Sequence, residues 1–441
     1  MNSMVKRAIR GLAAMPVVAS LALSASAQDA FDTSAYVDNS YLFLIGGIIV
    51  MFMAAGFCML EAGLVRKKNA AMQSMKNVAL FSVAGIMFWL VGYSMAYPGE
   101  TIAGWIGMPD FFWKPEDSME NSYAASSDWF FQMVFVATAA SIVSGTVAER
   151  IKLWPFLIFT AVLTAFIYPI VASWEWGGGA LDSQFAFSDF AGSTLVHSTG
   201  GWAALVGAII IGPRAGKYVN GAVHPMPGSN IPLAALGTFI LWFGWFGFNG
   251  ASQLAAGTFD DINSVANIFA NTNMAACGGV LGAMTLTSIL YKGKVDATMA
   301  FNGAIGGLVS ITAEPLAPSM GLSILIGAIG GCLVVVTVPL LDKLKIDDVV
   351  GAIPAHLVCG IWGTMIVPLS YANDIGLNEA GNPSYFGQFV GVAACAIFVS
   401  IASAIVWIAL KATVGVRPTE EEEIAGMDKT EVGLEAYPEF S

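Results

Sequence analysis

The 441 residues are 56% hydrophobic and only 11% charged, with a mean hydropathy of +0.70. Soluble domains carry roughly one-quarter charged residues, so this composition excludes a soluble globular protein and points to an integral membrane protein. The formal net charge of -12 sits largely in a few acidic stretches outside the apolar segments and gives no ground for nucleic-acid binding.

In chain order, residues 1–27 read as a secretory signal peptide. Lys6, Arg7 and Arg10 form a charged region, Gly11 to Leu23 an apolar one, and Ala25-Ser26-Ala27 an A-x-A cleavage site. The apolar run is short for a spanning helix, and cleavage would leave Gln28 outside the cytoplasm. Eleven apolar segments long enough to span follow, at about 41–63, 77–98, 128–148, 153–175, 190–212, 231–256, 265–291, 297–314, 321–341, 349–370 and 385–411. Basic residues fall on alternate connections: Arg66, Lys67, Lys68 and Lys76, then Arg150 and Lys152, Arg214 and Lys217, Lys292 and Lys294, Lys343 and Lys345, and finally Lys411, Arg417 and Lys429. The other side keeps only Lys114. The basic side is cytoplasmic by the positive-inside rule, so the topology is N-terminus out and C-terminus in. The expected organisation is a transmembrane domain over 28–413 and a cytoplasmic tail over 414–441.

Two of the three histidines in the chain occupy matched positions. Asp189, Gly192 and His197 repeat the spacing of Asp348, Gly351 and His356, a D-x-x-G-x-x-x-x-H pattern with a further Gly four residues after each His and then Trp202 or Trp362. The segment holding the first copy runs inward and that holding the second runs outward. Eight residues at 1.5 Å put each His ~12 Å deep from opposite faces. In a hydrocarbon core of roughly 30 Å the two approach the midplane within ~6 Å of each other. Segments 1–5 and 6–10 thus form an inverted five-plus-five repeat with its site between the halves, and the two Asp residues suit helix N-caps. Three readings of the pair stand open: core histidines with one hydrogen bond each, axial ligands of a haem, or ionisable groups along a transport path. Other residues gather towards the outer end of such a path. Phe131 and Phe135 are one turn apart, Trp176 precedes Gly177-Gly178-Gly179, and Trp245, Phe248 and Ser252 follow at helical spacing. Aromatic faces and a hydroxyl suit a small cation, and equally an interfacial aromatic belt.

The five cysteines (Cys58, Cys277, Cys332, Cys359 and Cys395) lie in apolar segments at no metal-ligand spacing, which suits buried thiols. With no nucleophile, metal cluster or phosphate loop, neither an enzyme nor a cofactor is expected. His224 reads as a solvated loop residue, Glu61 as a paired or capping acid, and Gly303/Gly307 with Gly327/Gly331 as close-packing pairs.

Gly56 to Arg66 with Lys68 and Asn69, Phe130 to Phe135 through Ala148-Glu149-Arg150, Asp189 to Trp202, Gly244 to Asn249, Asp348 to Gly363 and Thr413 to Arg417 follow one another in an order that resembles the ammonium transporter (Amt/MEP/Rh) family, bacterial Amt type, over essentially the whole mature length. The resemblance implies a homotrimer of eleven-helix subunits, each with its own pore. It makes His197 and His356 the twin histidines and Phe135 and Phe248 the stacked outer gate. Trp176 and Ser252 become the ammonium-recruitment site, with Phe131 and Gln132 beside it. Asp189 is the acid needed for function. Ser198-Thr199-Gly200-Gly201 after His197 and the charge of Glu175 beside Trp176 depart from the usual pattern. A pore lined by apolar groups rejects intact cations, whose transfer costs several kcal/mol; ammonium differs in being able to shed a proton, and two buried imidazoles can share one. An ammonium sensor on the same fold is the alternative, which usually adds a signalling domain to the tail. Thr430 matches a threonine whose phosphorylation closes plant relatives, and a PII-type protein docking on the cytoplasmic face is a family expectation, beside ammonium or ammonia and membrane lipids as partners.

Overall fold

The computed structural model describes residues 3–118, 122–371 and 383–440, the side chains of 3–32 and 440 apart. The signal sequence expected at 1–27 lies outside the residues whose side chains are described. Among the described residues ten helices are long and apolar enough to cross a membrane. They are α1 (crossing stretch Thr33–Leu64), α2 (Lys67–Ala96), α3 (Ala125–Thr146), α4 (Leu153–Ser173), α5 (Ser193–Ile211), α6 (Ile231–Gln253), α7 (Phe259–Leu290), α9 (Met320–Lys343), α10 (Ile353–Tyr371) and α11 (Tyr385–Thr413). Between α7 and α9 lies α8 (Ala297–Thr312), apolar but shorter. Its 16 residues rise about 24 Å, less than the ~30 Å hydrocarbon core.

Side-chain caps start several of these helices. Asn230 accepts from Leu233 N–H at α6, Asp296 from Thr298 and Met299 at α8, Ser319 from Leu322 at α9 and Ser384 from Gly387 at α11. Thr258 and Asp261 form a reciprocal capping box at α7. Each satisfies amides that the first turn leaves without partners. Position in the bundle follows burial. Of the apolar window of α3, 89% is buried, against 22% for α11, so α3 is central and α11 peripheral. α1 runs along α6, while α7, α8 and α9 pack on one another. That second contact is backbone to backbone: a Cβ on Gly279, Gly327 or Gly331 would collide with the carbonyls of Gly303, Ala275 and Gly279 respectively. Small residues permit such approach, and dispersion and packing rather than the hydrophobic effect hold helices together in lipid.

One face of the bundle is basic. Glu149, in a left-handed conformation (φ 67°), accepts from Arg66 N–H at 2.8 Å, pairs with Arg66 Nε at 2.5 Å and with Arg214 at 3.2 Å. Arg214 clasps Asp347 through Nε and Nη2 at 2.8 and 2.9 Å, and Arg150 donates to the carbonyls of Thr146, Gly212 and Asp347. The tail docks on this face of its own chain. Glu423 pairs with Arg417 and accepts from Ala215 N–H, and Asp428 accepts from Ala71 and Met72 at the start of α2. Glu431 accepts from Leu153 N–H at the start of α4. His224 is exposed beside the small hairpin Tyr218–Val219/Ala222–Val223. Glu61 is buried against α2 and α3, accepting from Gln73, from Asn77 at 2.7 Å and from Ser144 at 2.9 Å.

Candidate functional site

The two D-x-x-G-x-x-x-x-H stretches meet at the middle of the bundle. In each copy the glycine is the residue that turns the chain: φ is +110° at Gly192 and +80° at Gly351, values that side chains with a Cβ rarely tolerate. Asp189 therefore reaches its helix from upstream. Its Oδ1 accepts from Gly192 and Ser193 N–H at 3.0 and 2.7 Å, and its Oδ2 from Thr194 and Leu195 at 2.7 and 2.8 Å. All four donors at a helix start are thus satisfied by one carboxylate. Asp348 acts alike with fewer partners, Oδ2 accepting from Ile353 N–H at 2.7 Å and Oδ1 from the Thr146 hydroxyl at 3.0 Å. Burial pushes the Asp189 carboxyl up to about 6, opposed by those same amide bonds. Glu175 is raised well above the ordinary carboxylate range by burial and by Asp189 nearby; it accepts from Asp189 N–H at 2.8 Å through Oε1, while its buried Oε2 has no partner.

Both helices open as π turns, Ser193–Ser198 and Ile353–Val358. His197 is thus four residues into its helix and His356 three, instead of the eight expected of a helix begun at the aspartate, because the left-handed glycine keeps the intervening residues outside it. The wider turn brings the rings together, Nδ1 to Nδ1 at 3.2 Å and both buried. One nitrogen donates and the other accepts, so the pair holds one shared proton at that contact. The second glycine of each motif makes the approach possible: a Cβ on Gly201 would meet Leu357 at 2.6 Å, and one on Gly360 would strike Ser193 and Ser198. His197 lies on Trp245 (ring centroids 5.0 Å) and Phe248 (5.2 Å), its Nε2 buried without a partner, and Phe57 flanks His356 at 5.9 Å.

Beyond His197, on the side away from the basic face, Phe135 and Phe248 stack at 3.9 Å. A cavity of about 310 Å³ opens past them, lined by Phe131, Gln132, Trp176 and Ser252 together with Tyr93, Tyr97, Tyr123, Asp128, Phe190 and Leu254. Trp176 is held by its indole N–H donating to the Asp189 carbonyl at 3.0 Å. Ser252 donates to the Phe248 carbonyl at 2.8 Å, which leaves its oxygen free to accept. A smaller cavity of about 200 Å³, with Arg214, Lys217, Asn302 and Asp348 among its walls, lies towards the basic face. The nine bundle residues singled out in the sequence therefore form one column. Thr430 lies apart from it, exposed on the docked tail. Sequence reading passed over Asp128 and Tyr93, because an acid in a first helical turn and a tyrosine near a helix end carry no signal of their own.

The model of the Ammonium Transporter Family matches residues 41–437. The Amt2 ammonium transporter of Archaeoglobus fulgidus is 42% identical over 422 residues, covering 90% of this chain and 87% of its own. Among solved structures, one titled "Sensor Amt Protein" superposes with a TM-score of 0.83 at 34% identity over 90% of this chain and 98% of that one. Mep2 of Candida albicans superposes with a TM-score of 0.78 at 26% identity, over 89% and 88%.

Proposed function

The chain belongs to the ammonium transporter family, and from that premise we propose that it transports ammonium by holding the cation at the aromatic cavity, passing its proton to the His197–His356 pair below the Phe135–Phe248 stack and letting ammonia continue along that column. The observation that carries the pathway is the continuous file of cavity, Phe135–Phe248 stack and paired imidazoles. A cation captured against Trp176 and Ser252 is held by ring faces and one acceptor. Beyond the stack the walls are apolar, so an intact potassium or sodium ion pays several kcal/mol of lost hydration and is refused. Ammonia crosses without that cost, and the imidazole pair, holding one proton between two nitrogens, relays the other proton or returns it.

The gathering of Arg66, Arg150 and Arg214 with the tail on one face supports a cytoplasmic position for that face, in an inner membrane with the aromatic cavity outside. The matched Asp, Gly and His of α5 and α10 support an inverted repeat of α1–α5 with α6–α10. A cleaved signal at 1–27, homotrimeric assembly, and regulation through the tail by a PII-type protein or at Thr430 complete the reading.

Purified protein in liposomes on a solid-supported membrane, pulsed with ammonium and then potassium, tests it. Wild type gives an ammonium-specific current, the His197→Ala/His356→Ala double variant gives none, and either His→Asp change admits potassium because a fixed negative charge stabilises a hydrated ion. Absence of both current and ammonium-driven pH change overturns transport and leaves sensing.

A further inference from the structure

The carboxylate of Asp128 takes no part in that pathway, yet it faces the same cavity. It stands in the first turn of α3 and is 5% exposed. Oδ2 accepts the Tyr93 hydroxyl at 2.5 Å and Oδ1 the Gln132 side-chain amide at 3.2 Å. A carboxylate offers about four acceptor positions, so both oxygens keep capacity towards the cavity. Among the described residues no lysine, arginine or histidine forms an ion pair with it. A buried carboxylate without a counter-charge is expensive, and a helix N-terminus offsets only part of that cost. The rings of Tyr93, Phe131 and Trp176 line the same space, and the negative potential of an aromatic face suits a cation.

We propose that Asp128 is the fixed counter-charge of a cation subsite in this cavity, where ammonium is held before the Phe135–Phe248 stack and where its half-saturating concentration is set. The inference rests on the ammonium reading above for its ligand, but not on transport. A mobile cation supplies the charge that the fold omits, and Tyr93 and Gln132 fix the carboxylate so that its remaining lone pairs point at the ligand. The plain alternative is a tie between α2 and α3 through the Tyr93 bond alone. That role needs the hydrogen bond and not the charge.

Ammonium is titrated against purified wild-type protein, Asp128→Asn and Tyr93→Phe, following tryptophan fluorescence beside the current assay, since Trp176 lines the cavity. Asp128→Asn keeps the shape and one acceptor oxygen for the Tyr93 hydroxyl but removes the charge, and should raise the half-saturating ammonium about tenfold, which is ~1.4 kcal/mol, with maximal current little changed. Tyr93→Phe keeps the charge and the ring but removes the bond that steadies the carboxylate, and should raise the half-saturating ammonium less than Asp128→Asn does, by about threefold. Superposable wild-type and Asp128→Asn titrations overturn the proposal whether or not the wild type carries current. Asp128-dependent binding without any current upholds it and sinks transport alone. Should Asp128→Asn fail to fold, tetramethylammonium on wild-type protein decides: it carries charge and cannot shed a proton, so it must displace ammonium without permeating, and failure to compete overturns the subsite.

Discussion

Four amides converging on one carboxylate make Asp189 the most heavily bonded side chain at the site, and its charge state governs them. The ionised form accepts all four N–H groups; a protonated carboxyl must turn one oxygen into a donor facing donors. With its carboxyl pushed up to about 6 by burial, the group is ionised above that pH and neutral below it. Ammonium current at fixed ammonium concentration should therefore hold level from pH 8 towards 6.5 and fall as the pH drops through about 6, and a flat profile down to pH 5 would count against this. Asp189→Asn mimics the acid state permanently. It leaves buried amides unsatisfied, at roughly 1–3 kcal/mol each, and should lower both the unfolding temperature and the current at every pH. Residues of this kind were legible in the sequence because histidine and aspartate are costly in lipid and so stand out. Asp128 was not: a first-turn acid is ordinary, and only the fold reveals that Tyr93 of α2 and Gln132 enclose it.

At the scale of elements, the crossing of α5 and α10 depends on Gly201 against Leu357 and Gly360 against Ser193. Gly360→Val inserts side-chain carbons where backbone already sits; overpacking typically costs 1–3 kcal/mol, and here it also parts the two imidazoles. Expected results are a lower unfolding temperature and loss of the ammonium current, with a wild-type melting profile as the contrary outcome. The helices themselves were readable from hydropathy, and so was the D-x-x-G-x-x-x-x-H repeat. The π turns were not, since they arise where tertiary contacts compete with the regular i to i−4 ladder. Counting 1.5 Å per residue from the aspartate therefore put the histidines two to nearly three times as far into their helices as they are. α8 shows the same limit, since its apolar pattern reads on to residue 314 whereas the helix stops at Thr312.

For the whole molecule, the basic face and the tail form one ionic layer. Asp428 serves as a remote cap for α2 and Glu431 for α4, so the last residues of the chain satisfy amides at the start of helices that open more than 270 positions earlier. Asp428→Ala should loosen this layer by about 1 kcal/mol, the worth of a lost cap. Limited proteolysis would then show faster cleavage within residues 414–440 while the helical core stays intact; unchanged cleavage would mean that the contacts of Glu423 and Glu431 hold the tail without Asp428. Hydropathy located the tail but could not show its docking, because an acidic run reads as solvated until its partners at Ala71, Met72, Leu153 and Ala215 are known.

The reciprocal seating of the two motifs bears on how such a chain is inherited. Each glycine that follows a histidine is sized by the opposite copy, Gly201 by Leu357 and Gly360 by Ser193 and Ser198, so neither half drifts freely. A larger residue in one copy survives only with a smaller one in the other, some 159 positions away. Lineages should exchange the two copies together or not at all.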